Sequence, residues 1–163
     1  TPVAAGTPVG EAEEFAPLAG VVFQPLAFGS VEVLPLGPAG IGIGRLTLEP
    51  GAAIPPHPHL GPEFGVIEAG TASITVSEGE LQVARGRQAS LPAGVATPFV
   101  APIVETFGAG DEVTLNPGDA VFYEPGTVAD LRNAGDQPLV FLGGGIEPIG
   151  GAPATPEAAT PIA

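Results

Sequence analysis

From residue 20 onward the chain alternates short apolar runs with glycine and proline. The runs fall at 21–23, 26–28, 31–34, 41–49, 64–69, 72–77, 81–84, 88–91, 103–107, 112–115, 120–123, 128–132 and 139–142. Within 41–49, Ile41, Ile43, Arg45, Thr47 and Glu49 share one face of an extended segment, because successive strand side chains point to opposite sides. A period of two, bounded by Gly and Pro, predicts half-buried strands. Turn signals separate the runs at 77–79, 108–111 and 116–119. No stretch carries a helical stripe, and 25 Gly with 21 Pro would interrupt most helices. The expected fold is all-β, a sandwich or barrel of about a dozen short strands. Gly143-Gly144-Gly145 follows the last run with no helix after it, so it is read as a strand end rather than a phosphate cradle.

The two ends differ from this pattern. Residues 1–19 and 149–163 repeat Thr-Pro among Ala and Gly, with few large apolar groups to offset the entropy of ordering. The expected organisation is a Thr/Pro/Ala-rich N-terminal arm over 1–19, a β-domain over 20–148 and a similar C-terminal arm over 149–163. Arms of this kind suit a stalk or a linker behind a cleaved signal peptide, so an extracellular or cell-surface location is expected.

Charge narrows the partners. Eighteen acidic residues stand against four arginines, a formal net charge of -14, so a phosphate backbone would be repelled and nucleic acid is excluded. Cysteine is absent, which removes disulfides, thiolate metal sites and cysteine nucleophiles. No uninterrupted apolar run approaches the ~20 residues a membrane-spanning helix needs. Only 13% of residues are charged, against about 25% in typical soluble domains. Either small residues cover the surface, or part of it is buried between copies of the chain.

Both histidines fall in one stretch, 51–70, which reads G-x5-H-x-H-x3-E-x6-G through Gly51, His57, His59, Glu63 and Gly70. On a strand, His57 and His59 would present two imidazoles to one side, and Glu63 could add a carboxylate. A second stretch sets Gly118, Gly126 and Asn133 at spacings of its own, with Pro125 one place from its expected slot and Glu124 in that slot. Together the two stretches resemble the two motifs of the cupin superfamily. That resemblance implies a jelly-roll β-barrel with a metal site inside, held by three histidines and a glutamate. At the third histidine's position this chain has Ala129.

The resemblance therefore implies, at most, a His57, His59, Glu63 set, ligand types suited to Fe, Mn, Zn or Ni. The alternative is that both histidines are hydrogen-bonded residues lining the barrel mouth. No organic cofactor is expected. Two functions remain open: a structural or binding module that self-associates into an oligomer or extracellular fibre, with room for a small molecule in the barrel, and a metal-dependent enzyme of dioxygenase, decarboxylase or isomerase type. Ala129 favours the module.

Overall fold

The computed structural model describes residues 22–27, 29, 31, 34, 37–86, 91, 92 and 103–149; both proposed arms lie outside this set except for Ile149. The described residues form twelve strands and no helix: β1 (Val22–Phe23), β2 (Ala39–Leu48), β3 (Ala53–Pro58), β4 (Glu63–Ala69), β5 (Ala72–Glu78), β6 (Glu80–Ala84), β7 (Leu91–Pro92), β8 (Glu105–Gly108), β9 (Glu112–Leu115), β10 (Ala120–Tyr123), β11 (Val128–Asn133) and β12 (Leu139–Pro148). The all-β expectation holds.

The chain divides into two units. In the smaller, residues 1–25 with 89–100, the described part is a short antiparallel ladder that pairs Val22 with Pro92 and Phe23 with Leu91. The larger, residues 26–88 with 101–163, contains a six-stranded sheet in the order β2-β12-β4-β10-β6-β8 and a four-stranded sheet in the order β3-β11-β5-β9. Every described pairing is antiparallel.

The core of this unit joins inward residues of both sheets: Ile67, Leu81, Val83, Val121 and Leu139 from the first, and Ile74, Val76, Val113, Leu115, Ala129 and Leu131 from the second. This is the two-sheet jelly-roll arrangement, in which alternate residues of each strand turn inward. The four motif glycines fall at turns: Gly51, Gly70, Gly118 and Gly126 all have φ between 77° and 95°. At Gly70 a Cβ would also come 2.7 Å from the Pro138 carbonyl oxygen, so both backbone conformation and space demand glycine.

Three expectations change. The runs at 26–28 and 31–34 are not strands where they are described, at Leu26, Ala27, Val31 and Leu34; their other residues and 88–90 lie outside the described set. The physical reason is visible at Ala27, which packs on Val66, Ala84 and Ala120, so the segment lies over a face of the sheet instead of adding to its edge. Gly143-Gly144-Gly145 does not end a strand. β12 runs on to Pro148 because β2 pairs with it over ten residues, from Leu139↔Leu48 to Pro148↔Ala39, while β4 holds its other side through Gly145.

Candidate functional site

His57 sits near the end of β3, an edge strand, which is where Pro55, Pro56 and Pro58 can be accommodated without breaking a ladder on both sides. Its Nδ1 lies 3.0 Å from the Pro55 carbonyl oxygen. His59 lies just beyond the strand, pinned by its backbone to the turn before β11: its N–H donates to Thr127 O at 2.9 Å, and its carbonyl accepts from Gly126 N–H at 2.7 Å. The two motifs are thus stitched together at this point. The His57 and His59 rings are 4.8 Å apart at their centroids and tilted by 41°.

His59 is 4% exposed. One face of its ring stacks on Tyr123, with centroids 3.9 Å apart and planes 10° from parallel. Its Nδ1 is 3.1 Å from Glu63 Oε1, yet off the direction of a hydrogen bond, and this buried nitrogen has no hydrogen-bond partner. Burial pushes the Tyr123 hydroxyl well above its ordinary pKa, with Glu63 and Asp130 adding to the rise because their negative charge opposes a phenolate.

The sequence-predicted set is therefore brought together in part. His59 and Glu63 meet and His57 lies beside them, but among the described residues no three His, Asp or Glu side chains form a group able to hold a metal ion. Ala129 pairs with His57 across the β3–β11 ladder and is fully buried, so the missing histidine's place is sealed by the core. Among the described residues these side chains do not assemble a three-ligand metal site. Two other carboxylates of the second motif are engaged elsewhere: Asp119 accepts from Gly86 N–H at 2.7 Å and Asn116 N–H at 3.0 Å and pairs with Arg85, while Glu124 accepts from Gln82 Nε2 at 3.0 Å.

Next to Glu63 and Tyr123 the barrel opens into a cavity of 660 Å³. Its origin is a register of small residues. Across β2, β12 and β4, Gly44 faces Gly143, which faces Gly65; one step toward the mouth, Gly42 faces Gly145, which faces Glu63, and Glu63 in turn faces Tyr123 on β10. The ring of Phe141 lies over Gly65 and Gly143, where a Cβ would come within 2.1 and 2.5 Å of it. Over Gly42 and Gly44 nothing lies within 4 Å of a Cβ position, and the cavity occupies that space. These glycines were not anticipated as functional. Their signal was present, since the residues between Ile41, Ile43 and Arg45 are Gly42 and Gly44, the two bare inward positions.

Residues 44–99 match the family model of the cupin domain. Over this stretch the chain is similar to the cupin superfamily. The match ends before the second motif, where this chain departs from the pattern at Ala129. Among solved structures, this chain is similar to a cupin superfamily protein from Desulfitobacterium hafniense, at 13% identity over 90% of this chain and 94% of the other, with a TM-score of 0.44. Drosophila melanogaster CENP-C, in its structure bound to CAL1, is 14% identical over 62% of each chain with a TM-score of 0.30. A Klebsiella pneumoniae protein with a double-stranded β-helix domain is 19% identical over 88% of this chain and 91% of its own, with a TM-score of 0.24. No curated protein matches the chain.

Proposed function

We propose that this chain is a non-catalytic module that binds a small molecule in its barrel mouth. The observation that carries the reading is the 660 Å³ cavity kept open by Gly42 and Gly44 beside Glu63 and Tyr123. Ligand pockets of about 300–1,000 Å³, mostly apolar with a few polar groups at one end, have this form. Glycine inside a strand is unfavourable by roughly 0.5–1 kcal/mol relative to Ala, so two bare positions on one face need a reason beyond folding. Ala129 supports the non-catalytic part, because a metal-dependent mechanism would lack its third histidine.

Nile red, a neutral dye that fluoresces in apolar surroundings, tests the cavity. Gly44 is not held at positive φ, so Gly44→Leu is free to fill the space with a side chain. Dye binding is expected in the native protein and is expected to be lost in Gly44→Leu with the circular dichroism spectrum unchanged. Undiminished dye binding by a folded Gly44→Leu protein would sink the reading.

One observation favours a second role, self-association. β2 borders the six-stranded sheet, pairs among the described residues only with β12, and exposes Ile41 (83%) and Ile43 (73%) with Arg45 as its one charge. Long edge strands with so little charge are open to pairing with another strand, and an antiparallel partner identical to β2 would close a two-fold dimer. Light scattering is expected to give a dimer that Ile43→Lys converts to monomer; a monomeric native protein removes this role.

A further inference from the structure

We propose that the ligand of this cavity is an organic cation: a flat, largely apolar molecule carrying a protonated amine. The inference rests on the binding-module reading above and names its ligand class. Four side chains with polar groups line the cavity, those of Arg45, Glu63, Tyr123 and Glu147. The arginine's charge is already answered, since its Nε and Nη2 reach the two carboxylate oxygens of Glu68 at 2.5 and 3.1 Å. What faces a ligand is then two carboxylates and a phenol.

Their placement is specific. Glu63 faces Gly145, which faces Gly42, and Tyr123 stands on its other side, so an ammonium set against Glu63 would have its apolar body over the bare Gly42 and Gly44. Tyr123 is 5% exposed and lines the cavity. A neutral phenol oxygen can accept a hydrogen bond from an amine N–H. His59 Nδ1, a buried polar atom with no hydrogen-bond partner among the described residues, lies 3.1 Å from the Glu63 carboxylate. A flat body suits this wall, because Gly42 and Gly44 present peptide planes with open space above them, flanked by the Phe141 ring that covers Gly143. An anion would meet Glu63, Glu147 and the field of a chain with net charge -14.

Isothermal titration of the full chain with three probes of one shape and different charge separates the classes: tryptamine, tryptophol and indole-3-acetate. Tryptamine is expected to bind roughly ten- to hundredfold more tightly than tryptophol, the equivalent of one charge-assisted hydrogen bond, with indole-3-acetate weakest. Glu63→Gln is expected to erase the preference for the amine, and Gly44→Leu to abolish binding of all three; Gly42→Leu replaces it if that variant does not fold. If tryptophol or indole-3-acetate matches tryptamine, or if none binds while Nile red does, the cation class is overturned and the binding module stands. If binding of both probe and dye is indifferent to filling the cavity, the module reading falls as well.

Discussion

The imidazole of His59 lies flat on the phenol of Tyr123, 3.9 Å from centroid to centroid, and neither ring is open to solvent. The stack fixes His59 at the junction of the two motifs and places a buried phenol in the row that ends at Glu63. Tyr123 is the only tyrosine, and tryptophan is absent, so its ionisation can be followed directly by phenolate absorbance.

That gives a pH prediction with a definite sign. Burial raises the folded-state pKa of Tyr123 above the value of about 10 that the unfolded chain has. Below pH ~10 both states keep the proton and stability does not depend on this group. Above it the unfolded state releases a proton that the folded state retains, so stability falls by about 1.4 kcal/mol per pH unit until the folded pKa is reached. Phenolate absorbance is expected to appear together with loss of the β-sheet dichroism, and Tyr123→Phe to flatten the alkaline slope. Reversible ionisation near pH 10 in a protein still folded would contradict the burial.

Two glycines of the cavity row should respond in opposite ways. At Gly145 a Cβ would come 2.6 Å from Glu63 Cγ and 2.9 Å from the Pro62 carbonyl oxygen, the latter being backbone that cannot swing aside. At Gly42 a Cβ meets nothing within 4 Å. Gly145→Ala is expected to destabilise by about 1–3 kcal/mol through overpacking, whereas Gly42→Ala is expected to be neutral or stabilising by up to about 1 kcal/mol. Urea midpoints of the two variants check this; equal effects would mean the register across β2, β12 and β4 is not as described.

Most of the barrel was legible in the sequence because its strands alternate and its turns carry glycine, and the motif glycines prove to be positive-φ turn residues. The cavity was not legible, for a physical reason. Gly42 and Gly44 look like strand breakers one at a time, and only the cross-strand register sets these two bare positions beside Gly143 under Phe141 and Gly145 under Glu63. The site was half legible: spacing put His57, His59 and Glu63 in one neighbourhood, but the direction of Glu63 toward His59 Nδ1 depends on how the loop after β3 is tied to Thr127 and Gly126, which are distant in the chain. The segment around Ala27 misled because apolar residues that cover a sheet read like residues that extend it.

Asn133, the last position of the second motif, has a structural role that can be measured. It is 3% exposed, its Nδ2 donates to the carbonyls of Leu48 at 2.9 Å and Gln137 at 2.8 Å, and its Oδ1 accepts from Gly135 N–H at 2.9 Å. One side chain therefore ties the end of β2 to the turn between β11 and β12. Asn133→Ala would leave buried backbone groups unpaired at about 1–3 kcal/mol each, and a total loss of at least about 2 kcal/mol is expected. Asn133→Asp should recover only the contact made by Oδ1. A drop below about 0.5 kcal/mol in chemical denaturation would show that water replaces these bonds without cost.

The metal question has a clear experimental form, because the donors are only partly gathered. His59 Nδ1 and Glu63 Oε1 meet at 3.1 Å, His57 directs its Nδ1 to Pro55 O, and Ala129 closes the position from which a third histidine would complete the shell. Two strong donors and a third held apart bind a transition ion weakly, since open positions must be filled by water and the buried His59 must reorient. The purified protein is therefore expected to carry well under one equivalent of Mn, Fe, Ni or Zn by elemental analysis. Adding zinc should raise the melting temperature by less than a tight structural site would, where saturation at a hundred times Kd gives about 2.7 kcal/mol. His57→Ala is expected to leave the melting temperature nearly unchanged in the absence of metal, because the side chain's one polar contact is to its own strand, at Pro55 O. One equivalent of tightly held metal, lost in both His57→Ala and Glu63→Ala, would show that the three side chains close around an ion after all and would reopen a metal-dependent activity.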